Sequence, residues 1–125
     1  MKVRPATPAE ALPVLAPAAR WATTGESLEH LAKAGHCFVL EQGGAPVFAW
    51  SVQAHGDELY ILAAAGRAGF DLTETGLAII EQQAAGFASV AFQTRRRGLL
   101  RKAGALGYQP ASRLENGVVM RKVLK

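Results

Sequence analysis

Two stretches of this chain carry residues whose type and spacing suit the binding of an anion. Gly66-Arg67-Ala68-Gly69 follows an apolar run, Glu58-Leu59-Tyr60-Ile61-Leu62, and a small-residue tail, Ala63-Ala64-Ala65, and it precedes a helical pattern. Free N–H groups at such a helix start, aided by the helix dipole, favour phosphate. Arg95-Arg96-Arg97 directly follows Thr94, a good N-cap, so these cations would oppose the dipole of the next helix at a cost of up to about 1 kcal/mol each. Residues that break a local rule without local compensation mark candidate sites. The alternative is that these side chains extend into water and the helix begins nearer Gly98. Asp71 and Glu74 suit the start of the earlier helix as acidic first-turn residues, which is their simplest role. His36, Cys37 and His55 lack a metal-ligand spacing, and Cys37, with no second cysteine, reads as a buried bystander.

The elements that must position these residues follow from periodicity. Glu58 to Ala65 is a strand, Leu77, Ile80, Ala84 and Phe87 mark a helix, and Val90-Ala91-Phe92 is a short buried strand. Strand, helix and strand in about 35 residues form a right-handed crossover, which brings two strand ends and two helix starts to one edge. Upstream, Lys2-Val3-Arg4 is a short strand, and Thr7-Pro8-Ala9-Glu10 has the residues of a capping box with Pro at the first helical position. Pro13 and Pro17 predict a kinked or broken helix through Leu12, Leu15 and Ala19 to Trp21. A second helix, 26–34, turns Leu28 and Leu31 inward and stops at Gly35. Strands are expected near 37–41, 46–54, 58–65, 88–93, 108–113 and 118–124, with turns at Gly43-Gly44, Gly56 and Asn116-Gly117. A last helix passes through Leu99, Ala103 and Leu106 to Gly107. Phe38, Phe48 and Trp50 alternate at strand period and belong to the core. The fold class is α+β, one domain over 1–125, with helices on both faces of a mixed, mostly antiparallel sheet.

This order, with Leu59-Tyr60-Ile61 on the fourth strand and Leu106-Gly107-Tyr108 after the last helix, resembles the GCN5-related N-acetyltransferase (GNAT) superfamily. The resemblance implies an acetyltransferase that takes acetyl-CoA as co-substrate and a small-molecule or protein amine as acceptor. It implies that the strand backbone around Leu62, Ala63 and Ala64 holds the pantetheine arm and the thioester carbonyl, if the strand bulges there. The family's pyrophosphate loop, Arg/Gln-x-x-Gly-x-Gly/Ala, places its first glycine on Gly69, while Gly66 replaces the Arg/Gln, Asp71 replaces the last small residue, and Arg67 is the compensating phosphate ligand. In the last helix, Arg96 takes the family's Asn position and Ala103 that of the tyrosine that often protonates the departing thiolate. Bases for the acceptor amine are sought in Glu41, His55 and Glu58, each of which also reads as an ordinary surface residue at a strand end or hairpin. Short, motif-poor chains of this kind also resemble GNAT-like proteins of phages and prophages, some of them virion components, so a binding or structural component without catalysis is the second reading.

Composition bounds these readings. A chain of 125 residues, half of them hydrophobic, forms a single core without disulfides. No apolar run reaches the roughly 18 residues of a membrane span, and Met1-Lys2-Val3-Arg4-Pro5 has no apolar signal region, so a cytoplasmic protein is expected. The net charge of +4 is concentrated in the last third and suits an anionic partner. Nucleic acid, through Arg95, Arg96 and Arg97, is a third reading, weakened because no aromatic residues interleave with the arginines. Homo-oligomerisation is compatible with the sequence, which identifies neither the acceptor nor the oligomeric state.

Overall fold

The computed structural model describes residues 1–21, 27–67 and 71–124. Strand β1 (Lys2–Ala6) leads into helix α1 (Pro8–Leu15). The Thr7 hydroxyl accepts from the Glu10 N–H at 3.2 Å, and the Glu10 carboxylate accepts from the Thr7 N–H at 3.0 Å, which completes the expected capping box. The helix passes into a 3₁₀ turn (Ala16–Trp21) at the second proline, the break that Pro13 and Pro17 predict. Helix α2 (Leu28–Ala34) starts later than expected because the Ser27 hydroxyl accepts from the His30 N–H at 3.1 Å and caps it; Glu26, its anticipated first residue, lies outside the described residues.

Strands β2 (His36–Gln42), β3 (Ala45–His55) and β4 (Glu58–Gly66) follow as an antiparallel meander. The β2–β3 turn has Gly43 at φ 62° and Gly44 at φ 83°, the backbone that a two-residue hairpin loop requires and that glycine adopts without strain. Helix α3 (Leu72–Gln83) then returns the chain to β5 (Ser89–Thr94), which lies parallel to β4. Helix α4 (Arg97–Ala105) and the hairpin of β6 (Gln109–Leu114) and β7 (Gly117–Val123) complete the order β1-β2-β3-β4-β5-β7-β6. No helix among the described residues is long and apolar enough to cross a membrane.

Of the two readings for the start of α4, the structure bears out the one in which the helix begins nearer Gly98. Thr94 is not its N-cap: pairing with Val118 keeps Thr94 in β5, and its hydroxyl accepts instead from the Arg96 N–H at 3.2 Å. Arg96 occupies the N-cap position and makes no side-chain cap bond there, so only Arg97 of the three arginines lies inside the helix.

Alternation along the strands splits the interior into two clusters. Leu40, Phe48, Trp50, Val52, Leu59 and Ile61 meet Leu77 and Ile80 of α3 and Ala103 of α4. On the other face Cys37, Val39, Ala49 and Ala63 meet Ala11 and Leu15 of α1 and Leu31 and Ala32 of α2. Trp50 is fully buried, and its indole N–H donates to the Gln83 side chain at 2.9 Å, so the largest core residue leaves no polar atom unpaired. Phe38 and Phe48 stack on its two sides at 5.8 and 5.2 Å, in agreement with the core role read for all three. Cys37 is buried, its thiol is pushed up by burial, and its S–H donates to the Ala32 carbonyl.

The meander has one irregularity that matters for function. On β3 Ser51 pairs with Ala63 and Val52 with Ile61, so Leu62 is an extra residue without a partner, a β-bulge in β4. The side-chain packing agrees: Leu59 and Ile61 alternate into the α3/α4 cluster, whereas Leu62 and Ala63 both pack on the α1/α2 side. The outer half of β4 is thereby re-aimed relative to its inner half.

Candidate acyl-transfer cleft

The bulge coincides with the end of the β4–β5 ladder. These two strands are paired from Glu58↔Ser89 to Ile61↔Phe92, beyond which β4 continues beside β3 and β5 continues beside β7. Parallel strands that part at their C-terminal ends open a crevice where ligands bind in α/β sheets. A cleft of about 620 Å³ occupies that place, with Leu62 to Gly66 along its floor. Its lining comes from both faces of the sheet: Pro17, Ala18, Leu28 and Leu31 on one side, Leu72, Gly76, Leu77 and Leu99 on the other. The run Ala63-Ala64-Ala65-Gly66 keeps the floor low, so an extended ligand can approach the β4 backbone.

Two glycines set the shape of this region. A Cβ on Gly66 would lie 2.1 Å from the Val47 carbonyl oxygen, and the next residue's N–H donates to that same oxygen at 2.8 Å. This close crossing of β3 and β4 leaves room for glycine alone at position 66. A Cβ on Gly76 would lie 2.8 Å from the Phe48 ring, so α3 rests directly on that aromatic.

Charge at the cleft is contributed by Arg67, Asp71, Arg96 and Lys102. Asp71 is the N-cap of α3: one carboxylate oxygen accepts from the N–H groups of Thr73 at 3.0 Å and Glu74 at 3.3 Å, while the other lies 3.5 Å from the Lys102 ammonium. The Glu74 N–H, together with the nearby Lys102 charge, holds this carboxyl below the usual range. The positive end of α3 therefore already faces a carboxylate of its own chain. On α4, Arg96, Leu99 and Lys102 follow one another at intervals of three and share a stripe toward the cleft.

Leu62, Ala63, Ala64, Arg67 and Arg96, read from the sequence as cofactor-binding, thus come together at one cleft; Gly69 lies outside the described residues. The three candidate bases do not join them. Glu41 sits at the end of β2 and pairs with Arg4 at 3.2 Å. His55 and Glu58 flank the β3–β4 turn, at the opposite end of β4, and four residues of strand put Glu58 about 13 Å from Leu62. The Glu58 carboxylate accepts from the Arg121 guanidinium on both oxygens and from the Ser89 hydroxyl at 2.8 Å. The guanidinium is the larger influence that holds this carboxyl low. His55 stacks on Tyr60 at 5.1 Å and is 2.8 Å from the Gln53 side chain. Ala103, at the family's tyrosine position, is fully buried, and the nearby Tyr108 hydroxyl donates to Glu81 at 3.1 Å, its phenol raised by burial. Sequence reasoning missed Lys102, whose spacing of six from Arg96 was its signal, and the apolar wall from Pro17 to Leu31, which only the fold brings to β4.

No protein-family model matches the chain, and no curated protein matches it. Solved structures do. An IAA acetyltransferase from Bacillus cereus superposes with a TM-score of 0.72 at 14% identity, covering 98% of this chain and 99% of that one. A Bacillus subtilis acetyltransferase in complex with CoA gives 0.69 at 13% identity, with 99% of each chain covered. A GNAT family acetyltransferase from Elizabethkingia anophelis with acetyl-CoA bound gives 0.72 at 11% identity, covering 98% of this chain and 97% of that one. The chain has the GNAT fold over nearly its whole length.

Proposed function

We propose that this protein transfers an acetyl group from acetyl-CoA to an amine. The observation that carries the reading is the bulge at Leu62 where β4 leaves β5, since from there the β5 side of β4 is open along the floor of a cleft rimmed by Arg67, Arg96 and Lys102. Acetyl-CoA, when bound, supplies an activated thioester, and its pantetheine amides suit pairing with an exposed strand edge. The backbone of 62–65 would hold that arm, and its N–H groups would stabilise the negative charge that develops on the carbonyl oxygen. Arg67, Arg96 and Lys102 would meet the phosphates, which compensates for Asp71 at the start of α3. Orientation of two reactants in one cleft supplies much of the acceleration such a reaction needs.

Release of free thiol from acetyl-CoA in the presence of a panel of amines tests the reading. Amine-dependent release is expected, and Arg67→Ala should raise the KM for acetyl-CoA about tenfold with little change in melting temperature, because Arg67 is exposed. Binding of CoA without transfer to any amine would favour a GNAT-fold binding component; no heat on titration with millimolar CoA would reject the site.

A further inference from the structure

Resting on that reading, we infer that the acceptor is a weakly basic primary amine on an apolar body, of the kind found at an apolar N-terminal residue, rather than an alkylammonium or a polyamine. The acceptor would enter along the wall formed by Pro17, Ala18, Leu28 and Leu31, opposite the cations. These side chains carry no charge, and among the described residues lining the cleft the one carboxylate is Asp71. Asp71 is committed to two backbone N–H groups and to Lys102. A polycation placed here would bury charges without partners, which is costly. Desolvation along the apolar wall also lowers the pKa of an incoming amine and so favours its neutral form.

Proton balance points the same way. In the transfer, the lone pair of a neutral amine forms the new C–N bond to the carbonyl carbon, the C–S bond breaks, and the proton lost from nitrogen goes to the departing sulfur. The sum is amine plus thioester giving amide plus thiol, with no net proton released. An amine that arrives neutral therefore needs neither an acidic residue at the Ala103 position nor a base at the cleft, and the described residues offer neither: Ala103 is buried alanine, and Glu41, His55 and Glu58 lie elsewhere. At pH 7 an α-amine with a pKa of about 7.7–8.0 is neutral in roughly one molecule in six to eleven, against roughly one in 2,500 for an alkylamine near 10.4. That difference in neutral fraction, roughly 200- to 400-fold, is the upper bound on the selectivity inherited without any base, because the more basic amine is the better nucleophile once neutral.

The test uses the full chain with acetyl-CoA and three probes, L-phenylalaninamide, Nα-acetyl-L-lysinamide and spermidine, read by thiol release at pH 7, with CoA binding measured separately by calorimetry. Phenylalaninamide should give a kcat/KM at least tenfold above the other two. Its rate should level off above about pH 8, while that of the lysine derivative climbs about tenfold per pH unit toward 10. Leu28→Glu, which puts an acidic residue in the first turn of α2 where it suits the helix, should lower kcat/KM for phenylalaninamide at least tenfold and leave CoA affinity within twofold. If CoA does not bind, the acetyltransferase reading fails and takes this inference with it. If CoA binds, then preference for spermidine or the lysine derivative, transfer to none of the three, or indifference to Leu28→Glu overturns this inference alone.

Discussion

Single side chains decide how strongly this cleft can hold an anion, and Asp71 is the clearest case. It supplies the N-cap that α3 needs while placing a negative charge at the positive end of the helix, where the proposed phosphate ligand would approach. Asparagine caps a helix about as well as aspartate and carries no charge. Asp71→Asn is therefore expected to leave the melting temperature nearly unchanged and to tighten CoA binding a few-fold by calorimetry; weaker binding would mean that the carboxylate organises the site through Lys102. Glu58 behaves oppositely, as a structural group away from the cleft. Its carboxyl is lowered in the folded state by Arg121, so its contribution is complete above the unfolded glutamate value near 4.3 and is lost as pH falls through the lower folded value. Glu58→Gln should cost about 1 kcal/mol at pH 7, modest because Arg121 is 42% exposed. The difference from the parent protein should vanish toward pH 2 in urea unfolding. A difference that persists unchanged into acid would show that packing, not charge, carries the effect.

At the scale of elements, the outer half of β4 depends on a close approach that only glycine permits. Gly66→Ala would force its new methyl against the Val47 carbonyl and should destabilise the protein by about 1–3 kcal/mol while also weakening CoA binding, since the strand end forms the cleft floor. A stable variant with unchanged CoA affinity would contradict that assignment. Most elements are legible because their signals are local: apolar strand runs punctuated by Gly43-Gly44, Gly56 and Asn116-Gly117 place β2 to β7 within about two residues, and Thr7, Pro8 and Glu10 mark the start of α1. What is less legible has non-local causes. Thr94 is a good cap by type, yet pairing with Val118 holds it in β5; the bulge that the resemblance implies is placed at Leu62 only by the register against β3. Glu41, His55 and Glu58 were chosen by chemistry at strand ends; which end of a strand opens into a cleft is set by where β4 and β5 part, a property of topology that no short motif carries.

For the whole molecule, one parallel pair inside an otherwise antiparallel sheet creates the opening, helices on both faces wall it, and the basic C-terminal third supplies cations to one side of it. CoA is proposed to occupy the gap between β4 and β5. Titration of the ¹⁵N-labelled protein with CoA, followed by amide shifts, tests it residue by residue. Saturable shifts are expected at Leu62, Ala63, Ala64, Ala65 and Arg67 and along α4 from Arg96, with His55 and Glu58 at the far end of β4 unmoved. Shifts confined to the exposed β6–β7 hairpin, or none at millimolar CoA, would contradict it.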